Sequence, residues 1–214
     1  MADFPFAIVG FDLDGTLVDS AGDLAAAVNH ALGVAGRPSF PVDRIRPMIG
    51  GGARLMLQTA LKASGGDEQL DDLLPALLGH YEANIAATTR PFPGAIAALD
   101  ALAARGVALA IVTNKRAHFT DLLLRQLDLS ARFACVISGD TIPGKAKPDP
   151  APIVEMMRRC GGGRAAFVGD SRYDVEAART ASVPVAVYGG AAVGDAAFDD
   201  YRELLPTLER LAAH

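Results

Sequence analysis

Residues 6–20 read FAIVGFDLDGTLVDS, and this stretch decides both the fold and the position of the site. Its apolar first half predicts a short buried strand that ends at Asp12 and Asp14, followed at once by Gly15 and Thr16. Because successive side chains of a strand alternate between faces, the two carboxylates point the same way. Such a pair at the end of a buried strand requires a compensating cation or proton, and a hard divalent metal with oxygen ligands is the simplest choice.

The DLDG segment also has a purely structural interpretation. DxDG sequences occur in calcium loops and in plain turns, where Asp accepts backbone hydrogen bonds and Gly15 supplies a positive φ angle. The choice between a turn and a site therefore depends on the rest of the chain.

The composition predicts a globular protein in a reducing compartment. The 214 residues are 50% hydrophobic, which allows one good core and a small second one. A net charge of −5 argues against a nucleic-acid partner or an anionic membrane surface. Cys135 and Cys160 provide no disulfide framework, and the opening MADFPF lacks the features of a signal peptide, so we expect a cytoplasmic protein. The apolar stretch 95–113 is interrupted by charges and reads as a helix and a strand, not as a membrane span.

Residues 20–89 show apolar side chains at helical spacing and no clear strand pattern. Breaks fall at Gly36-Arg37-Pro38, at Gly50-Gly51-Gly52 and at Gly65-Gly66. This pattern predicts an all-helical insert of roughly four helices.

From residue 90 onward, strand and helix patterns alternate. Four further apolar runs predict buried strands at 107–114, 133–138, 164–170 and 183–189. Together with the first strand they predict a doubly wound parallel α/β sheet of five strands. The domain organisation that follows is an α/β core of residues 1–19 and 90–214, interrupted after its first strand by the helical domain 20–89.

Polar side chains collect where the predicted strands end, and open α/β sheets bind ligands at that edge. The residues at these positions are Asp12, Asp14, Thr113, Asn114, Lys147 and Asp170. Each has a plain structural alternative: Thr113-Asn114 as a helix cap, Lys147 as a solvated loop charge, and Asp170 as a turn residue. Their joint occurrence at four strand ends favours a site.

These residues and motifs resemble those of the haloacid dehalogenase superfamily. FDLDGTLVDS, Thr113-Asn114 after a strand, the lysine of KPDP and the acidic GDSRYD are similar to its four motifs, in the same order. The long segment after the first motif resembles an inserted helical cap. Within that group the chain is most similar to phosphoglycolate phosphatases, which act on the small metabolite 2-phosphoglycolate.

The resemblance implies a chemistry for each residue. Asp12 is the expected nucleophile, and Mg²⁺ is bound by the side chains of Asp12 and Asp170 and by the backbone carbonyl of Asp14. Asp14 is the expected acid and then base, because each step resets its proton for the next. Asp174 is suited to supporting the metal ligands or to a water-mediated contact.

Three more residues are expected to hold the transferring phosphoryl group: Thr113, Asn114 and Lys147. Lys145 is an alternative to Lys147, although the KPDP context favours Lys147. In the insert, the turn MIGGGARLML at 48–57 is the expected substrate contact, through Gly51 and Arg54. Its structural alternative is a tight helix-opening turn with Arg54 in solvent.

Several related activities compete with phosphatase. Dehalogenases of the superfamily lack the second aspartate, whereas Asp14 is present, and Lys62 is poorly placed as the Schiff-base lysine of phosphonate-cleaving relatives. Sugar-phosphate phosphatases, pyrophosphatases and hexose-phosphate mutases share the core residues and stay open, as does the oligomeric state. A phospho-acceptor receiver domain, a binding module of about half this length, has its phosphorylated aspartate in mid-chain and is disfavoured.

Overall fold

The structure, a computed structural model, describes residues 4–67, 69–190 and 192–213. Eight strands lie in this part of the chain: β1 Ile8–Phe11, β2 Val18–Asp19, β3 Arg90–Pro91, β4 Ala108–Val112, β5 Cys135–Ile137, β6 Ala165–Gly169, β7 Val185–Tyr188 and β8 Ala196–Phe198. The helices are α1 Ala21–Val34, α2 Val42–Ile45, α3 Ala53–Ala63, α4 Leu70–Ala83, α5 Ala95–Ala103, α6 Ala117–Gln126, α7 Ala151–Arg159, α8 Arg172–Thr180 and α9 Leu204–Leu211. Short 3₁₀ turns occupy Arg46–Met48, Ser130–Arg132 and Tyr201–Glu203.

Six of the strands form one sheet in the order β5-β4-β1-β6-β7-β8, and every neighbouring pair is parallel. The predicted doubly wound parallel sheet is confirmed, but it has six strands where five were predicted. The additional strand, β8, consists of Ala-Ala-Phe in a segment rich in Gly and Asp, and so carries no apolar run of its own. Its pairing with the edge of β7 makes it a strand.

Two apolar layers cover the sheet because alternate strand residues face opposite sides. Val9 and Val168 belong to the cluster that includes side chains of α5, α6 and α9. Ile8 and Phe167 belong to the cluster that includes side chains of α7 and α8. The strands are buried on both faces, as the near-continuous apolar runs of a parallel sheet require.

The register of the central strands fixes where the polar residues meet. Phe11 at the end of β1 is opposite Ile111 of β4 and Val168 of β6, so these strands end together at one edge. The Asp12 N–H continues the ladder by donating to the Val168 carbonyl at 2.9 Å.

The segment between β1 and β4 packs as a helical group, with α4 lying against α1 and α3. Residues 20–89 contain α1 to α4 among their described residues, of which α2 is one turn followed by a 3₁₀ turn. At both ends of this segment, β2 pairs antiparallel with β3 through Val18 opposite Pro91 and Asp19 opposite Arg90. We propose this two-stranded ribbon as the division between the core and the helical domain. None of the helices described is long and apolar enough to cross a membrane.

Candidate active site

The sheet edge brings together the residues that the sequence placed at strand ends. Asp12 and Asp14 follow β1, Thr113 and Asn114 follow β4, and Asp170 follows β6. Lys147 comes from the loop between β5 and α7, and its Nζ lies 3.0 Å from Asp12 Oδ1.

 The structure therefore gathers every predicted core residue at one edge, while Lys145 lies outside the cluster in an exposed pair with Asp149.

Lys147 is the cation at the centre of this cluster. Its ammonium group donates to the Val112 carbonyl at 2.7 Å and to Asp174 Oδ1 at 2.6 Å. Burial alone would lower the pKa of Lys147, but the carboxylates of Asp12 and Asp174 raise it above its usual value. The lysine is therefore a fixed positive charge beside Asp12.

Asp12 has an unsatisfied oxygen. Although Lys147 Nζ is near, its hydrogen bonds are made elsewhere, and Asp12 Oδ1 has no hydrogen-bond partner among the described residues. Burial, and after it the charge of Asp174, raise the pKa of Asp12 to about 6, against the lowering effect of Lys147. A buried carboxylate oxygen without a partner is costly, so this position favours an additional cation.

Asp170 supplies a second carboxylate to the same space. Its Oδ1 accepts from Thr16 Oγ1 at 2.9 Å, and burial followed by the charges of Asp174 and Asp12 raises its pKa well above the usual value. A Cβ atom on Gly15, whose φ is +82°, would lie 2.5 Å from Asp170 Oδ2, so only glycine allows this approach.

The residues fit a hard divalent cation. One oxygen from each of Asp12, Asp170 and Asp174 lies within 4.8 Å of the other two. Three carboxylates face one ammonium group, which leaves negative charge for a metal to balance, and an all-oxygen donor set is the one that Mg²⁺ prefers.

Asp174 already uses both of its oxygens. Oδ1 accepts from Lys147, while Oδ2 accepts from Ser171 Oγ at 2.6 Å and from the N–H groups of Ser171 and Asp170 at 2.9 and 3.3 Å. The bond from the Ser171 N–H belongs to the capping box that begins α8. This arrangement favours an indirect role in which Asp174 orients Asp170 and Lys147.

Asp14 makes different contacts from Asp12. Its Oδ1 accepts from Ser20 Oγ at 2.6 Å, and its Oδ2 lies 2.7 Å from Nζ of Lys115. Lys115 also donates to the hydroxyl of Tyr81 on α4 at 2.9 Å. Burial would lower the pKa of Lys115, but the charge of Asp14 and then the Tyr81 oxygen raise it above its usual value.

Sequence reasoning missed Lys115 and Tyr81. Lysine is rare in this chain, and Lys115 directly follows the Thr113-Asn114 pair, which was a usable signal. Tyr81 matched the apolar face of a helix, and nothing in the sequence indicated that its hydroxyl would meet a lysine 34 residues later.

The side chain of Asn114 connects the end of β4 with the turn at Gly50 and with the loop that contains Lys147. Its Nδ2 donates to the carbonyls of Gly50 and Lys147 at 2.9 and 2.8 Å, and its Oδ1 accepts from the Lys147 N–H at 2.8 Å. Thr113 Oγ1 accepts from the Lys115 N–H at 3.3 Å. The amide of Asn114 is thus engaged with backbone groups, and the expected phosphoryl contact of this residue stays a prediction.

The turn at 50–52 closes over the sheet edge. Gly50 and Gly52 have φ angles of +107° and +88°, which favour glycine, and a Cβ on Gly50 would lie 3.3 Å from that of Ser171. Gly51 and Arg54 line the same cavity as Asp12 and Asp14. Arg54, however, is 57% exposed and lies 2.7 Å from Asp71 at the start of α4.

The cavity has a volume of about 340 Å³. Asp12, Asp14, Thr113 and Lys115 line its polar part, and the helical segment adds mainly apolar side chains, which include Met56, Leu74, Leu77 and Leu78. It can therefore hold a small anion at the sheet edge, with an apolar wall on the other side.

Comparison with known proteins gives a consistent result. A family model described as haloacid dehalogenase-like hydrolase matches residues 9–188. The chain is 39% identical to phosphoglycolate phosphatase 1 of Pseudomonas aeruginosa, an alignment that covers 96% of the chain and 80% of that protein. It is 37% identical to a phosphoglycolate phosphatase of Agrobacterium fabrum, with 95% and 92% covered.

A solved structure shows the same similarity. The crystal structure of a predicted phosphoglycolate phosphatase from Haemophilus somnus matches with a TM-score of 0.87 at 29% identity, covering 94% of this chain and 97% of that one. The resemblance identified from the four sequence motifs is confirmed by these matches.

Proposed function

The chain belongs to the haloacid dehalogenase-like hydrolase family, and on that premise we propose that it is a Mg²⁺-dependent phosphatase acting through an aspartyl-phosphate. The observation that carries the proposal is the buried Asp12 carboxylate, which has an oxygen without a hydrogen-bond partner and lines a cavity beside Lys147. The substrate that we propose is 2-phosphoglycolate, which yields glycolate and phosphate.

The side chains of Asp12 and Asp170 and the backbone carbonyl of Asp14 would hold Mg²⁺. A bound divalent cation neutralises phosphoryl oxygens that would otherwise repel a carboxylate nucleophile. Asp174 keeps Asp170 and Lys147 in position through the hydrogen bonds described above.

Asp12 acts as the nucleophile, and Asp14 acts as the general acid and then the general base. In the first step, an Asp12 oxygen forms a bond to phosphorus as the ester P–O bond breaks, and Asp14 donates a proton to the departing alkoxide. In the second step, Asp14 takes a proton from water, the hydroxyl oxygen attacks phosphorus, and the Asp12–phosphorus bond breaks. Phosphate leaves, and Asp12 is again a carboxylate.

The transferring phosphoryl group needs positive charge and N–H donors around it. Lys147 supplies the charge next to Asp12. The backbone N–H groups of Leu13, Asp14 and Asn114 donate no hydrogen bond within the described part of the chain, so they are available as donors. Thr113 adds a hydroxyl group at the same edge.

The cavity wall supports a small substrate. Leu74, Leu77 and Leu78 offer no hydrogen-bond partners for the hydroxyl groups of a sugar, which disfavours a sugar-phosphate phosphatase or a hexose-phosphate mutase. The same leucine side chains offer no hydrogen-bond donor to the second phosphoryl group of pyrophosphate, which disfavours a pyrophosphatase. The names of the relatives in Pseudomonas aeruginosa and Agrobacterium fabrum support 2-phosphoglycolate.

A substrate panel tests the proposal. Purified protein is assayed with and without Mg²⁺ against 2-phosphoglycolate, glucose 6-phosphate, glucose 1-phosphate and pyrophosphate. We expect activity only with the metal, and the highest kcat/KM with 2-phosphoglycolate. Interconversion of the two hexose phosphates, or a higher kcat/KM for another member of the panel, would overturn the substrate assignment.

A further inference from the structure

We propose that Lys115 binds the carboxylate of the substrate and thereby selects phosphorylated short carboxylic acids over neutral phosphate esters. This inference rests on the proposed phosphatase function and deepens it. The observation behind this proposal is the buried ammonium group of Lys115, which lines the cavity. It contacts Asp14 on one side and the hydroxyl group of Tyr81, a residue of α4, on the other.

The covalent structure of the substrate limits where its carboxylate can lie. In 2-phosphoglycolate, a single methylene group separates the ester oxygen from the carboxylate carbon. Asp14 must lie within hydrogen-bond reach of that ester oxygen in order to protonate it. The carboxylate must then lie next to Asp14, and Lys115 Nζ is the cation found there, 2.7 Å from Asp14 Oδ2.

The other cations that line the cavity are less suited to this role. Arg54 pairs with Asp71 and is 57% exposed, and Arg116 pairs with Asp140 and is 66% exposed. The Lys115 side chain, in contrast, is only 6% exposed. A desolvated ammonium group distinguishes a carboxylate from a methyl group far better than an exposed guanidinium does, because little water competes for it.

Tyr81 is the positioning residue for this contact. Burial raises the pKa of Tyr81 to about 12, so the hydroxyl group stays neutral, accepts from Lys115 and keeps its own proton to donate. Tyr81 lies on α4, which contacts α6 through the Tyr81 and Phe119 rings, 5.7 Å apart, and through Glu82 and His118. Lys115 is therefore contacted both by Tyr81 of the helical segment and by Asp14 at the sheet edge.

The test compares two esters that differ only in the group that Lys115 would bind. Ethyl phosphate has a methyl group where 2-phosphoglycolate has its carboxylate. Wild type, Lys115→Met and Lys115→Arg are assayed with saturating Mg²⁺ on both esters, and Lys62→Met, an exposed lysine of the helical segment, is the matched control. Thermal unfolding of each variant shows whether it is folded.

We expect Lys115→Met to raise KM for 2-phosphoglycolate at least about tenfold more than KM for ethyl phosphate, and so to remove the preference. Lys115→Arg should keep part of the preference, and Lys62→Met all of it. Competitive inhibition by glycolate, measured against ethyl phosphate, should weaken in Lys115→Met by a similar factor, whereas inhibition by inorganic phosphate should not change.

Each contrary outcome has a distinct meaning. If wild type prefers 2-phosphoglycolate and Lys115→Met keeps that preference, or if Arg54→Ala removes it instead, the assignment to Lys115 is wrong while the phosphatase proposal stands. If wild type hydrolyses both esters with equal kcat/KM, the substrate assignment and this inference are both overturned. If Lys115→Met does not fold, Lys115→Gln takes its place: loss of the preference in folded Lys115→Gln supports the inference, and full retention of the preference contradicts it.

Discussion

Lys147 Nζ lies 3.0 Å from Asp12 Oδ1, and the two side chains are only 1% and 4% exposed. The same ammonium group binds Asp174, so one lysine balances two buried carboxylates. Removing one member of a buried ionic group leaves the others without compensation and typically costs about 3–5 kcal/mol.

Lys147→Met should therefore lower both stability and activity. We expect the free energy of unfolding, measured by urea denaturation in EDTA, to fall by about 3 kcal/mol or more, and kcat to fall by at least about a hundredfold. Lys145→Met is the control, because Lys145 lies two residues away in an exposed pair with Asp149. Equal effects of the two substitutions would show that the position of Lys147 has no special importance.

Asp23 gives a prediction about pH. Its carboxylate accepts from the N–H and hydroxyl groups of Thr88 and Thr89, at distances from 2.6 to 3.1 Å. Burial would raise the pKa of Asp23, but these hydrogen bonds together lower it below its usual value. A lowered native pKa means that the stabilisation is present above the unfolded-state pKa and is lost as the pH falls through the native one.

Asp23→Asn should thus destabilise the protein by about 1–3 kcal/mol at pH 7, and the difference from wild type should shrink below about pH 4. Urea denaturation at both pH values measures it, with Asp121→Asn, an exposed aspartate of α6, as the control. A difference that is unchanged in acid would contradict the carboxylate role.

Asp14→Asn separates metal binding from proton transfer. If Asp14 binds Mg²⁺ through its backbone carbonyl, calorimetry should find the Mg²⁺ affinity nearly unchanged, while turnover of 2-phosphoglycolate falls by roughly 10²–10⁴-fold. A large loss of Mg²⁺ affinity would instead make the side chain a ligand and remove its assignment as the acid and base.

The sequence was sufficient for the parts of the molecule that depend on local patterns. Buried strands and the residues at their ends follow from apolar runs and the polar residues after them, as at Asp12 and Asp170. The sixth strand was missed because β8 has no apolar run and depends on pairing with β7. Cytoplasmic location, likewise, stays a prediction from composition.

Contacts between distant segments could not be predicted. The pair of Lys115 and Tyr81 depends on how α4 packs against the sheet edge, which periodicity does not specify. The amide of Asn114 illustrates the same limit, because its partners, the carbonyls of Gly50 and Lys147, come from two loops far away in the sequence. Similarly, the Sγ atoms of Cys135 and Cys160 lie 3.3 Å apart as free thiols.

Covalent catalysis by Asp12 is the central claim, and trapping the intermediate tests it most directly. In Asp14→Asn, p-nitrophenyl phosphate should still phosphorylate the enzyme, because p-nitrophenolate leaves without a general acid, whereas the hydrolysis step has lost its base. We expect acid quenching and peptide mass spectrometry to find one phosphoryl group on Asp12, and none in the Asp12→Asn/Asp14→Asn double variant. A phosphoryl group on another residue, or turnover of Asp12→Asn above about a hundredth of wild type, would contradict the account.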